Sequence, residues 1–165
     1  MPVARCPSTD DLLVGHATVT RGEDRRGAQL ADLMLIDLDN EGPKSDETVP
    51  CMIMTMRQGK TNKHGKVEYM GCMRHVDPVL CPLSALAFYF FFRWGRDGAE
   101  KFPSFRQPED YYNLYVLPGS VKVPERPLSY HTQFSWDRRI FQAVGIQSRE
   151  KTHSQRKQSA RHAEL

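Results

Sequence analysis

Residues 49–70 read VPCMIMTM, RQGKTNKHGK, VEYM: two apolar runs around a tip rich in glycine, asparagine and lysine. The first run, with Cys51, Met52, Ile53, Met54 and Thr55, reads as a strand. The second, Val67 to Met70, is β-like as well, so the pair spells an antiparallel hairpin. Residues 57–75 hold five Lys/Arg and one acid, which makes the tip positive whichever turn forms. Set between helical patterns, this hairpin predicts an α+β fold, mainly helical, with a small antiparallel sheet. Charged residues are common in solvated turns, so the tip gains functional meaning only from what stands elsewhere.

Upstream, Thr9 or Asp10 can cap a helix whose face is Leu12, Leu13, His16, Ala17 and Val19 or Thr20, before Gly22 interrupts it. The first ten residues, with Pro2, Pro7 and Ser8, are expected as a frayed lead-in, and residues 11–165 as one domain. A second helix is expected from Arg25 or Arg26, because Leu30, Leu33 and Met34 stand at i, i+3, i+4, and to end near residues 37–40. Residues 40–45 are polar and breaker-rich, a loop.

Downstream, Asp77, Pro78, Cys81 and Pro82 close the hairpin region, and a helix begins at about Leu83. Its aromatic run, residues 85–94, is about half of the roughly 20 residues a membrane span needs, so it is core or interface. From Phe102 to Pro127 the prolines recur too often for regular structure, and a long loop pinned by Phe105, Tyr111, Tyr112 and Tyr115 is expected. Ser129 or Thr132 can cap a last helix with Phe134, Trp136, Ile140, Phe141 and Val144 as apolar positions and Gly145 as its stop. No internal repeat appears.

At 165 residues, 39% hydrophobic and 26% charged with a mean hydropathy of -0.57, the chain suits one soluble domain with its own core. Its charge is uneven. Residues 1–50 hold five Lys/Arg against ten Asp/Glu, and residues 51–165 eighteen against ten. A basic second part suggests an anionic partner. Cys6, Cys51, Cys72 and Cys81 follow no signal peptide and form no C-x-x-C, so a reducing compartment is the simpler inference. Cys72, His75 and Cys81 lack the second ligand pair a zinc site needs, and neither metal nor cofactor is expected. Near the end, His153 and Arg156 stand three apart, a spacing that on a helix lets both grip one anionic group, phosphate foremost.

Four pieces occur in an order that resembles tyrosine recombinases. Residues 26–37, RGAQLADLMLID, resemble the segment that carries the first catalytic arginine. Residues 59–63, GKTNK, resemble the β-turn of the catalytic lysine. Residues 141–146, FQAVGI, resemble the helix end ahead of the H-x-x-R box, and Thr152 to Arg156 resembles the box. The phrases VGHA (14–17), RGEDRR (21–26), MRQGKTN (56–62), RHVDPVLCP (74–82) and FPSFR (102–106) are similar to a fungal branch. That branch comprises Crypton-type recombinases and the DNA-binding subunit of the fungal centromere-binding kinetochore complex.

The resemblance implies an incomplete recombinase-like catalytic-domain fold and a nuclear protein whose partner is double-stranded DNA, with no membrane. It implies that Arg26 and Arg156 fork onto phosphate oxygens, that Lys60 would protonate a leaving 5′-oxygen and that His153 would assist. Lys60, Lys63, Lys66, Arg138, Arg139, Arg156, Lys157 and Arg161, with Arg26, are the expected DNA contacts. Gln29 stands where the family has glutamate. The nucleophilic tyrosine of the family lies beyond the H-x-x-R box, whereas Tyr111, Tyr112 and Tyr115 precede it, so binding without strand cleavage is expected. Two alternatives stay open: a fragment of an active Crypton-type recombinase, and an interaction module in which residues 88–94 and the tyrosine-rich loop form a homodimer or kinetochore-type partner face.

Overall fold

The expected hairpin is the larger part of a three-stranded antiparallel sheet in the computed structural model, which describes residues 7–42, 44, 46–57, 66–96, 101–120 and 122–147. Strand β1 is Leu33–Leu38, β2 is Val49–Met56 and β3 is Glu68–Met73, in the order β1-β2-β3. Pairing sets Leu33 against Met54 and Met52 against Cys72. Met52, Met54 and Cys72 are buried on the face that meets the helices. The tip itself, residues 58–65, lies outside the described residues.

Helix α1, Pro7–Thr18, starts ahead of the expected Asp10, and Ser8, Asp10 and Asp11 are buried. The expected second helix is corrected. Helix α2 covers only Gly22–Gly27, a 3-10 turn follows at Leu30–Asp32, and Leu33 onward is β1. The backbone explains the break. Ala28 is extended and its carbonyl accepts Val116 N at 2.9 Å, while Leu30 N donates to Leu114 O at 2.8 Å. Asp32 Oδ2 accepts Gln29 N at 2.9 Å, which fixes the turn. Leu30 and Leu33 therefore reach the core at helical spacing without a helix, because hydrogen bonding to the distant residues 114–116 overrides local periodicity.

The aromatic helix α3 is Pro82–Phe91, with Pro82 at its first position and Cys81 Sγ accepting Ser84 N. A π-helical turn, Phe92–Arg96, widens its end. Buried Arg93 ties that turn to the Tyr115 and Val116 carbonyls at 2.8 and 3.2 Å. The proline-rich loop is corrected in part: β4, Pro118–Ser120, and β5, Val123–Pro127, form a two-stranded antiparallel ribbon. A ribbon of two edge strands tolerates prolines that a central strand would not. Helix α4, Tyr130–Ala143, starts at Ser129, whose Oγ accepts Thr132 N at 3.1 Å, and Gly145 follows it at a φ of 72°.

The buried stripe of α4 is another correction. It is Gln133, Asp137 and Phe141, while Val144 is 62% exposed. Polar residues face inward there because α1 and α2 offer buried charges to meet them. Asp137 sits 1% exposed with neither carboxylate oxygen hydrogen-bonded among the described residues. Burial first, and the Asp11 carboxylate second, push its carboxyl from 3.8 up to about 7, with Arg25 pulling it down. The unfolded chain releases this proton near 3.8 and the folded chain near 7. Stability therefore falls as pH rises between those values and levels off above, a loss of up to about 4 kcal/mol. Asp137→Asn removes that slope. In urea unfolding its stability relative to the parent should rise by about 2.5 kcal/mol from about pH 5 to about pH 8. A gain that does not change with pH would exclude a neutral Asp137 in the fold.

Candidate nucleic-acid interface

Adjacent arginines on α2 go opposite ways. Arg25 is 2% exposed and clamps Asp11 of α1, Nε to Oδ1 at 2.6 Å and Nη2 to Oδ2 at 3.1 Å. Its Nη1 donates to the Thr20 carbonyl at 2.9 Å. That carbonyl is aimed by a bend in which Val19 takes a φ of 56° and the Thr18 and Thr20 hydroxyls meet at 2.8 Å. A β-branched residue in the left-handed region is strained, and these contacts hold it there.

Gln133 of α4 completes the network. Its Nε2 donates to Asp11 Oδ2 at 2.9 Å, and its Oε1 accepts from Arg26 Nη1. One fully buried amide thus joins the internal ion pair to the outward-going arginine. Gly22 makes room for it: a Cβ at that position would stand 2.7 Å from Gln133 Oε1. Arg26, half-buried, also lies 5.4 Å from the Tyr130 ring centroid, and Tyr130 stacks on Phe134 at 6.0 Å. Tyr130, Phe134 and Arg138 follow at i, i+4 and i+8, so one edge of α4 runs from the Arg26 contact through two aromatic rings to a second arginine. Arg138 and Arg139 are exposed.

Such an edge can do one thing well. A guanidinium held by a hydrogen bond and a ring face meets an anion with little further loss of side-chain freedom, and its remaining N–H groups fit phosphate oxygens.

Of the residues expected from sequence, Arg26 and Arg138 lie along the α2–α4 pair, while Arg139, one residue on, stands about 100° further round α4. Lys66 is exposed two residues ahead of β3, near the hairpin base. Lys60, Lys63, His153, Arg156, Lys157 and Arg161 lie outside the described residues. A cleft of about 560 Å³ opens between α2, the 3-10 turn and the end of β2. Glu23, Asp24 and Asp32 line it against the single cation Arg57, whose Nε is 2.9 Å from Asp32 Oδ1. Burial holds Asp24 above its usual value. Among the described residues this cleft is acidic, and it does not suit an anion.

Sequence reasoning missed Arg25, Asp11 and Gln133. The available signal was two consecutive acids on α1 in phase with its buried face, which require a buried counter-charge. Cys51, Cys72 and Cys81 are free and buried, and burial together with the neighbouring sulfurs pushes the Cys72 thiol up to about 12. Among the described residues no His, Cys, Asp or Glu group is placed to hold a metal, and no helix is long and apolar enough to cross a membrane.

A family model described as the centromere DNA-binding protein complex CBF3 subunit, domain 2, matches residues 7–165. No curated protein and no solved structure matches the chain.

The two arginines should separate cleanly by stability. Arg25→Ala strands a buried carboxylate and should cost about 3–5 kcal/mol. Arg26→Ala, which removes one hydrogen bond and one ring contact, should cost about 1–2 kcal/mol. Equal losses in urea denaturation would contradict the inward and outward assignment.

Proposed function

The chain belongs to the family of domain 2 of the centromere DNA-binding protein complex CBF3 subunit, and on that premise we propose that it is a nuclear, recombinase-like domain that grips duplex DNA by its phosphates without cutting it. The family match across residues 7–165 is the observation that carries this reading. The placement of Arg26 and Arg138 along one α2–α4 edge supports it, as does the basic balance of residues 51–165. Its partners are double-stranded DNA and the other components of a centromere complex of the kinetochore type.

In this reading Arg26 and Arg156 supply forked contacts to phosphate oxygens. Lys60, Lys63 and Lys66 bring the hairpin against the backbone. Arg138, Arg139, Lys157 and Arg161 extend the contact along α4 and the tail. His153 adds a donor beside Arg156. Phosphate contacts of this kind give affinity and register and carry no base information. They also release counterions, which makes binding steeply dependent on salt.

Strand cleavage has no support in the tyrosines that precede the H-x-x-R box. Tyr111 packs between Phe105 and Tyr112, with ring centroids 5.1 Å from each, and Tyr115 is held by its backbone to Gln29 and Pro124. Rings placed this way are packing anchors, not nucleophiles at a phosphate.

Fluorescence anisotropy with a labelled duplex tests the reading. Affinity should fall about a thousandfold between about 50 mM and about 200 mM salt, and Lys60→Ala with Arg156→Ala should lower the salt slope by about two. Incubation with supercoiled DNA should give neither nicks nor a covalent adduct. A flat salt response, or a robust adduct, would overturn it.

A further inference from the structure

Asp137 stands one turn along α4 from Gln133, the amide that joins the buried clamp to Arg26. Both side chains are fully buried on the same inward stripe. From α1 the Asp11 carboxylate acts on Asp137, and from α2 the Arg25 guanidinium. Arg25 is already engaged with both Asp11 oxygens and with the Thr20 carbonyl. Gln133 is engaged as well, its Nε2 on Asp11 and its Oε1 on Arg26. Neither oxygen of Asp137 receives a hydrogen bond among the described residues.

The charge inside this cluster has two settings. With Asp137 protonated, one carboxylate meets one guanidinium and the interior is neutral. With Asp137 ionised, two carboxylates share a single guanidinium, and the excess charge is buried without a partner of its own. An ion in that position gains most by reaching water. Burial and Asp11 push the Asp137 carboxyl up to about 7, so both settings are populated between about pH 6 and about pH 8.

Helix α4 is the element that gives way. Its outer side is open to solvent at His131, Arg138 and Arg139, and the apolar contacts of Phe141 and Trp136 are not directional. A turn of the helix that brings Asp137 toward water carries Gln133 with it, because the two share one face. Arg26 then loses its Gln133 acceptor and its place over the Tyr130 ring.

We propose that Asp137 is a proton switch for the DNA edge: its neutral acid seats α4 so that Gln133 holds Arg26 outward, and its carboxylate unseats that turn and releases Arg26. This control rests on the DNA reading and adds regulation to it. A group that touches no phosphate thereby sets how tightly phosphate is held, with the stronger grip on the acidic side.

His131 lies with its ring centroid 5.7 Å from that of Tyr130, and a change in its charge would act on the same edge. Comparing the parent with Asp137→Asn at each pH cancels that contribution. The complete 165-residue chain and the variant are titrated against one labelled duplex by fluorescence anisotropy, at fixed salt, at about pH 6 and about pH 8. At the lower pH the two should bind alike. At the higher pH Asp137→Asn should bind about tenfold more tightly than the parent. In the free parent the Tyr130 ring resonances, assigned with Tyr130→Phe, should shift with a midpoint near 7, and in Asp137→Asn they should stay at their low-pH position. Equal affinities at both pH values would overturn the switch and leave the DNA reading standing, whereas absence of duplex binding at either pH would overturn both. A Tyr130 ring that shifts alike in parent and variant would also overturn the switch. So would loss of the parent's far-UV circular dichroism at the higher pH, which marks global unfolding in place of a turn of α4.

Discussion

A guanidinium sealed inside the protein sets the terms for everything around it. Arg25 cannot be buried alone, and Asp11 cannot be buried alone; each makes the other tolerable through two parallel hydrogen bonds. The ion pair spans α1 and α2, and the Gln133 amide brings α4 to the same point. Hydrophobic burial of Phe141 and Trp136 is not directional and would leave the register of α4 weakly specified. The hydrogen bonds to Gln133 specify one register. Asp137, one turn further along, adds a carboxyl that stays comfortable in this place only while protonated.

The same network makes the outer surface. Gln133 presents its nitrogen to Asp11 and its oxygen to Arg26, so the direction of the exposed arginine is inherited from the buried pair. Tyr130 supports the guanidinium from one side, and Gly22 keeps the approach open from another. The edge that carries Arg26 is thus an extension of the core. The acidic cleft beside it, lined by Glu23, Asp24 and Asp32, would repel a phosphate.

Much of the fold could be read from residues with strong local signals. The strand Val49–Met56, the aromatic helix behind Pro82 and the Ser129-capped α4 are each fixed by short-range chemistry, and they formed where expected. The failures share a cause. Leu30, Leu33 and Met34 have helical spacing, but the backbone of residues 28–30 is hydrogen-bonded to residues 114–116, a contact no local window contains. In α4 the apolar spacing does not reveal that Gln133 and Asp137 are buried, because Gln133 meets Asp11 across 122 residues of sequence. The motif in the sequence singles out Arg26 and says nothing of its neighbour. Arg25 beside it carries the same charge, and only the third dimension tells the two apart.

The central claim is that the buried clamp positions the DNA-facing arginine through Gln133. A double-mutant cycle on duplex DNA affinity at fixed low salt, with Arg26→Ala, Gln133→Met and both together, tests it most directly. The account predicts non-additive losses: once Gln133 no longer orients the guanidinium, removing Arg26 should cost little more. Additive losses would show that Arg26 meets DNA independently of the clamp and would contradict the account.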